Sequence, residues 1–264
     1  MFFGQCEHVP INYKIREIDM NFNRVIDEAT SLLVEGLKMT VLISLLSLLI
    51  GLVIGFLTCM LCTYKTKSFA ECRNFGEKLV LLISLIPKGI GNLYIWVIRG
   101  TPMMIQAFII YFGIPQVIQT LISPTFRLSA STAGLITLSL NAGAYISEIF
   151  RGGIQAVNKG QIEAARSLGL GKARTMFRVV LPQAFKIAIP SLVNQFAITV
   201  KDTSILSVIG LAELTNKAKV YVGKSFEFFA TYFVVAIYYL VFISLLMLLS
   251  KYVEKKLNYD KKRD

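Results

Sequence analysis

A few ionisable side chains lie inside segments that are otherwise apolar. Glu148, Lys201 and Asp202 are examples, and charged groups inside a membrane are expensive enough to indicate a function. Their chemistry would be binding or ion pairing. The sequence contains no H-E-x-x-H, G-x-S-x-G or G-x-x-x-x-G-K-[ST] motif, and its single histidine, His8, lies far from these residues. We therefore predict no catalytic residue, no metal site and a chain that is not an enzyme.

The spacing of the polar residues allows two interpretations. Asn141, Tyr145 and Glu148 follow one another at i, i+4 and i+7, which places them on one stripe of a helix. Such a stripe either packs against a neighbouring helix or lines a pathway. The same alternatives apply to Gln106, Asn194 and Gln195. Lys201 and Asp202 either form ion pairs between helices or line the pathway and meet a charged solute. Arg99 and Arg151 flank apolar segments, so each is either an anchor at the membrane surface or part of a gate or partner contact.

The composition places these residues in a membrane protein. Hydrophobic residues make up 55% of the 264 residues, the mean hydropathy is +0.61, and only 17% of residues are charged. Soluble domains carry about 25% charged residues, so this chain lacks the polar surface that water requires. The net charge of +12 is interpreted as basic loops facing the cytoplasm rather than as a nucleic-acid surface.

Apolar runs predict about five transmembrane helices, since one span needs about 20 mostly apolar residues. The predicted spans are Leu33–Leu61, Thr101–Ile118, Leu128–Phe150, Pro182–Ile209 and Phe228–Leu249. The fourth contains prolines and charges, so it is expected to be irregular. Leu79–Ile98 is also apolar, but Pro87, Lys88, Gly89 and Gly91 interrupt it. We expect these residues to break the helix and to leave a surface-lying or re-entrant segment; the alternative is a sixth span, which would place both termini on the same side.

The basic residues predict the orientation of the chain. With the C-terminus inside, the three cytoplasmic segments hold sixteen Lys and Arg, whereas the external segments hold eight. The expected organisation is an extracytoplasmic N-terminal segment over 1–30, a transmembrane domain over 31–250 and a basic cytoplasmic tail over 251–264. The N-terminus is thus outside and the C-terminus inside a multi-pass cell-membrane protein.

The cytoplasmic segment 151–178 contains the most informative pattern. Glu163, Ala164, Ala165 and Arg166 are expected on a short helix over 161–168. Gly169 is placed to end that helix in a left-handed conformation. Pro182, which follows Leu181, suits the first turn of the next helix, where its missing N–H costs little. The result is a rigid knob whose small side chains let another protein approach closely.

This pattern resembles the E-A-A-x3-G-x9-I-x-L-P loop in permease subunits of ATP-binding-cassette (ABC) importers. The matching residues are Glu163, Ala164, Ala165, Gly169, Leu181 and Pro182, with Val179 where isoleucine is usual. Segments 99–102, 139–145, 148–153 and 201–204 resemble recurrent segments of the polar amino-acid uptake branch. The resemblance covers about Leu33 to Leu257, and the stretch Phe69–Ile90 is longer than is usual in that family.

The resemblance implies an all-α integral membrane fold like that of type I ABC importer permeases, with a cytoplasmic coupling helix between the third and fourth spans. It implies alternating access for a polar or charged amino acid. The knob over 157–175 would enter a groove of a cytoplasmic ATPase dimer, and ATP with Mg²⁺ would bind there, because this chain has no P-loop. Further expected partners are a second copy or a homologous permease, an extracellular substrate-binding protein and membrane lipids, but no nucleic acid. A passive channel and a structural membrane subunit are the alternatives.

Overall fold

The computed structural model describes residues 22–63 and 75–261, and the regular structure in these ranges is entirely helical. Its α-helices are α1 (Phe22–Thr63), α2 (Phe75–Gly100), α3 (Met103–Phe108), α4 (Ile114–Leu121), α5 (Ala130–Gln155), α6 (Lys159–Ser167), α7 (Lys172–Thr175), α8 (Leu181–Asp202), α9 (Leu214–Ser225) and α10 (Phe228–Lys261). Most of the predicted N-terminal segment and the last residues of the predicted tail lie outside the described ranges.

Within those ranges, five helical segments are long and apolar enough to cross a membrane. They are Phe22–Thr63, Met103–Leu121, Ala130–Gln155, Lys172–Ile209 and Phe228–Lys256. Each overlaps one of the five spans predicted from the sequence, and the second and third begin two residues later than predicted. The all-helical fold with about five apolar helices is therefore confirmed, although α1 and α10 extend well beyond the predicted apolar limits.

Helix α5 is the centre of the bundle. Two thirds of its most apolar stretch is buried by other helices, compared with 6% for α10. Helix α1 packs closely on α5 because Gly51 and Gly55 lack side chains at the contact. A Cβ on Gly55 would lie 2.8 Å from the carbonyl oxygen of Gly143. Small residues of this kind let membrane helices approach closely, so α1 and α5 form a fixed pair.

The predicted break in the 79–98 segment is wrong, because α2 runs as one helix from Phe75 to Gly100 with Pro87 inside it. Gly91 does not end the helix, and the contacts of α2 with α1 and α5 give this glycine a packing role instead. A Cβ on Gly91 would stand 2.7 Å from the sulfur of Cys62, so this glycine allows a close approach. One turn later, the hydroxyl of Tyr94 donates to the carbonyl oxygen of Leu140 at 2.6 Å.

Two π-helical turns interrupt the spans, and each precedes a proline by one residue. Residues Ile109–Gly113 form the first, before Pro115, and Met176–Val180 form the second, before Pro182. Because proline has no N–H, it makes no hydrogen bond to the carbonyl four residues earlier. The residue before each proline bonds five residues back rather than four. These bonds run from Ile114 N to Ile109 O and from Leu181 N to Met176 O. The irregularity expected for the fourth span thus lies at its start, with a second change at Thr203–Ile209, which is a 3₁₀ helix.

A buried carboxylate organises the start of α9. The side chain of Glu213 is fully buried and caps α9 by accepting from the backbone N–H groups of Thr215, at 2.9 Å, and Asn216, at 2.6 Å. The hydroxyl of Tyr239 on α10 donates to the same carboxylate at 3.0 Å. Burial raises the pKa of Glu213, and these hydrogen bonds oppose the rise. Glu213 thereby joins α9 to α10.

Candidate functional site

The predicted knob is present as α6 and the turn that follows it. Asn158 caps the helix because its side-chain oxygen accepts from the N–H of Gly160 at 2.8 Å. Gly169 has a φ of +82°, the left-handed conformation expected after the helix end, and Leu170 N bonds back to Ala165 O. The helix runs over Lys159–Ser167, so its predicted extent of 161–168 is correct to within two residues.

The exposed face of the knob differs from the predicted small-residue face. Ala165 is 6% exposed and packs inward, whereas Glu163, Ala164 and Arg166 are exposed. Leu168 is the most exposed of the large apolar side chains that the structure describes, at 84%. The surface available to a partner therefore combines an acid, a base, one small residue and one free apolar side chain.

The base of the knob is fixed to the membrane helices by an apolar cluster. Val157, Val180 and Ala184 are buried together, and Ile162 of α6 and Met176 of the second π turn pack against them. These side chains come from the residues just before α6, from α6 itself, from the second π turn and from α8. The knob and the start of α8 are therefore joined by apolar contacts that exclude water.

Leu181 and Pro182, also predicted to act in coupling, stand at the first turn of α8. Leu181 is buried at 7% exposure, and Pro182 is exposed. Pro182 occupies the first turn of α8, as predicted. Leu181 thus packs within the protein. Pro182 follows the last π-type hydrogen bond, which Leu181 N makes to Met176 O.

A second group of predicted residues forms a charged cluster on α5. The Glu148 carboxylate forms a salt bridge with Arg99 of α2 at 3.5 Å and another with Arg151 one turn along α5. The Arg99 guanidinium also lies 5.2 Å from the centre of the Tyr145 ring, a cation–π distance. Tyr145 and Glu148 therefore meet through Arg99, and the cluster carries one acid and two bases.

This cluster lines an open recess that also includes Asn92 and Trp96 of α2. The Glu148 side chain is 22% exposed, and those of Arg99 and Arg151 are 42% and 51% exposed. A solute in the recess would meet guanidinium donors suited to a carboxylate and a carboxylate suited to an ammonium group. Arg99 and Arg151 are thus more than isolated anchors, and the i, i+3 spacing of Glu148 and Arg151 is the sequence signal for their pairing.

Gln106 and Asn141 are used for packing. The Gln106 amide donates to the carbonyl oxygens of Ile98, at 2.8 Å, and Thr101, at 3.0 Å, so it ties α3 to the end of α2. Asn141 of α5 donates to the Gln106 carbonyl oxygen at 3.5 Å. Both side chains are 8% exposed. This geometry supports the packing interpretation for this pair.

The predicted residues of α8 divide between two faces. Asn194 and Lys201 are exposed and lie seven residues apart on one face, whereas Gln195 is buried at 5% exposure. Asp202 is half-buried and ends α8 just before the 3₁₀ helix, and its side chain does not cap that helix. Among the described residues, neither Lys201 nor Asp202 forms a salt bridge, so the alternative of inter-helix ion pairing has no support here. Asn194 and Lys201 present polar groups on the outside of the single chain.

In the part of the chain that the structure describes, no three His, Cys, Asp or Glu side chains are grouped to hold a metal ion. Cys59 is buried and Cys62 is half-buried, and both are free thiols.

Comparison with known proteins identifies the family. Residues 82–259 match the family model of the binding-protein-dependent transport system inner membrane component. The glutamine transport system permease protein GlnP of Escherichia coli K12 is 37% identical over 229 residues, which are 87% of this chain and 94% of the relative. A putative glutamine transport system permease protein of Rickettsia felis is 36% identical over 225 residues, which are 85% and 92% of the two chains.

Solved structures agree with this assignment. A chain from the crystal structure of an amino acid ABC transporter with histidines superposes with a TM-score of 0.74 at 34% identity, covering 89% of this chain and 98% of that one. A chain of the inward-facing MetNI methionine ABC transporter superposes with a TM-score of 0.66 at 17% identity, covering 86% and 97%, and this likeness concerns the fold alone.

This chain belongs to the binding-protein-dependent transport system inner membrane component family. It is the transmembrane permease subunit of an amino-acid ABC importer, and it is a multi-pass inner-membrane protein with the fold of type I importer permeases. It works with a substrate-binding protein and with an ATPase that hydrolyses ATP in a separate subunit.

Proposed function

We propose that the cluster around Glu148 is where this permease recognises the charged groups of its amino acid. The observation that carries the proposal is that Arg99 and Arg151 flank one carboxylate beside an open recess. Every free amino acid carries a carboxylate and an ammonium group, so its site needs strong donors and an acid close together. Arg99 and Glu148 supply both within 3.5 Å.

The side chain of the substrate would be recognised elsewhere in the recess. Asn92 and the ring of Trp96 offer hydrogen-bonding and apolar surface next to the charged cluster. A polar, uncharged amino acid suits this lining. The one acid and two bases of the cluster would be used for its α-ammonium and α-carboxylate groups, and no further charged side chain among the described residues lines the recess. Glutamine belongs to this class, and relatives named for glutamine transport support it as the first substrate to test.

The pathway is completed by a second permease, either another copy of this chain or a homologue. The exposed polar face of α8, which carries Asn194 and Lys201, supports this assembly because polar groups facing lipid are costly. The exposed apolar residues of α1 and α10 contact lipid, with the N-terminus outside and the C-terminus in the cytoplasm.

The knob formed by α6 docks in a groove of the cytoplasmic ATPase dimer, where ATP and Mg²⁺ bind. Its exposed residues Glu163, Ala164, Arg166 and Leu168 form the contact surface. Closure of the two ATPase subunits on ATP would shift the permease pair between its inward- and outward-open states. The shift is limited by the difference in binding free energy of ATP for those two states.

The decisive experiment is reconstitution of the complete importer in liposomes with its binding protein. ATPase stimulation and uptake are measured across a panel of amino acids, with polar uncharged ones expected to give the largest response. Solute flux that continues without ATP would contradict the proposal and favour a passive channel. Glu163→Arg and Gly169→Arg are each expected to weaken co-purification with the ATPase, and normal association of both would contradict the docking role of α6.

A further inference from the structure

Gln183 connects the knob to the membrane part of the chain. It lies in the first turn of α8, and its side-chain nitrogen donates to the backbone carbonyl of Val179 at 3.0 Å. The same nitrogen donates to the side-chain oxygen of Gln161 on α6, 22 residues earlier. One amide group therefore contacts the coupling helix and the π turn at the same time.

The partners fix the direction of both hydrogen bonds. A backbone carbonyl only accepts, so the Gln183 atom next to Val179 must be the nitrogen of the amide. That nitrogen carries two hydrogens, which matches two acceptors. The Gln161 atom that faces it must then be the oxygen. Gln183 is the donor of this pair and Gln161 is the acceptor, so the two glutamines are not interchangeable.

The hydrogen bond from Gln183 reaches an irregular part of the helix. Val179 belongs to the π turn Met176–Val180, where the hydrogen bonds of the helix shift from one register to another before Pro182. Turns of this kind recur at functional sites in helices. Gln183 thus links Gln161 to the carbonyl of Val179, in the turn from which α8 starts.

We propose that Gln161 and Gln183 are positioning residues that transmit the movement of the coupling helix to α8. The proposal rests on the proposed docking of α6 on the ATPase. The apolar packing of Ile162 against the cluster of Val157, Val180 and Ala184 keeps the two elements in contact. The amide pair adds a directional link, because a hydrogen bond weakens steeply when its geometry is lost, whereas apolar contacts tolerate sliding.

The test uses the complete importer in liposomes and measures the amino acid transported per ATP hydrolysed. Q183E and Q183L each remove the donor to Val179, the first with nearly the same shape and the second without adding charge. Each is expected to lower transport per ATP at least about fivefold, at the lower end of typical coupling energies. Co-purification with the ATPase is expected to persist, since Gln183 does not belong to the exposed face of α6.

The direction of the bond predicts a difference between conservative variants. Q161E keeps an acceptor oxygen for Gln183, so its transport per ATP is expected to exceed that of Q161L. Q183E keeps the size of the side chain and can accept from a rotated Gln161 amide, but it cannot donate to Val179, so its transport per ATP is expected to fall as that of Q183L does. If the two glutamines acted only by packing, Q161E and Q183E would instead change transport per ATP to the same degree. Q119E is the matched control, because Gln119 also donates to a backbone carbonyl, that of Phe126 at 2.7 Å, outside the coupling region.

The double variant Q161L/Q183L is expected to transport as much per ATP as the single variant with the lower transport per ATP. The two substitutions remove the same link, so their effects should not add. The proposal is overturned if Q183E and Q183L transport as much per ATP as wild type. It is also overturned if the double variant multiplies the two single effects. A wild-type complex that shows no ATP-dependent uptake would instead remove the proposed function, and this inference with it.

Discussion

Gly153 of α5 lies against the backbone of Ala184 on α8, and a Cβ built on it would stand 2.7 Å from the Ala184 carbonyl oxygen. A real Cβ does not approach an oxygen so closely. The neighbouring Gly152 faces open space, with no atom within 4 Å of its Cβ position. Two adjacent glycines of one helix thus have opposite surroundings, which makes them a matched pair.

We expect Gly153→Ala to destabilise the permease by about 1–3 kcal/mol, the usual range for overpacking a tight contact. Gly152→Ala is expected to be neutral or stabilising by up to about 1 kcal/mol, since alanine favours a helix more than glycine does. Thermal unfolding of the two variants in detergent measures the difference. Equal unfolding temperatures would mean that α8 moves aside without cost and that the α5–α8 contact is loose.

The conformation of Gly169 predicts a second matched pair in the coupling loop. Neither Gly169 nor Gly171 has an atom within 4 Å of its Cβ position, but Gly169 has a φ of +82° and Gly171 a φ of −63°. Gly169→Ala is therefore expected to strain the end of α6 by roughly 1–2 kcal/mol, whereas Gly171→Ala costs little.

The strain should appear as weakened association with the ATPase, measured by co-purification of the two variants side by side. Gly171→Ala serves as the control for adding one methyl group to the loop. Loss of association in both variants to the same degree would mean that the added methyl group, and not the backbone angle, disturbs the contact.

The sequence allowed the apolar helices, α6 and the left-handed Gly169 to be predicted, because each follows from local rules. A run of apolar residues needs no partner to be recognised, and glycine after a short helix has few other uses. The central site was predictable only in part. Tyr145 and Glu148 share a stripe by spacing alone, but their meeting with Arg99 depends on how α2 crosses α5.

Other features depend on contacts between distant residues and were outside the reach of local rules. Gly91 was expected to break α2, but it serves a close approach to Cys62 that spacing does not reveal. Ala165 was expected to face a partner, but it is buried where α6 packs on α7 and the second π turn. The hydrogen bond between Gln161 and Gln183 joins residues 22 positions apart, and only the fold of the loop brings them together.

The salt bridges of Glu148 predict a selective loss of transport. Glu148→Gln removes the acid expected to hold the substrate ammonium and releases two arginines from their shared partner. We expect uptake to fall at least about tenfold, in line with about 1.5–3 kcal/mol for a hydrogen bond to a charged group. Binding to the ATPase should remain normal, because Glu148 does not lie on the exposed face of α6.

The matched control for Glu148 is Glu35→Gln, which also removes a carboxylate from a salt bridge, with Lys217 at 3.1 Å, where the Glu35 side chain is 65% exposed. An exposed pair contributes little, so uptake should stay near wild type. A similar loss in both variants would indicate that general destabilisation, rather than substrate recognition, explains the effect of Glu148→Gln.

Burial of Glu213 predicts how the stability of the permease changes with pH. Its pKa is raised in the folded protein because the carboxylate is enclosed between α9 and α10. A carboxyl with a raised pKa contributes most to stability below its unfolded pKa, and the contribution is lost as pH rises through the folded pKa. Each unit of pKa difference corresponds to about 1.4 kcal/mol. Glu213→Gln stays neutral throughout, so it should gain in stability relative to wild type as pH rises from acid to neutral.

The measurement is the unfolding temperature of both proteins in detergent across that pH range, taken as the difference between variant and wild type so that other titrating groups cancel. Glu163→Gln controls for loss of one carboxylate from an exposed surface. A difference that stays constant with pH would mean that the hydrogen bonds from Thr215, Asn216 and Tyr239 fully offset burial. A difference that falls with rising pH would mean that they exceed it and that the buried carboxylate, once charged, stabilises the junction of α9 and α10.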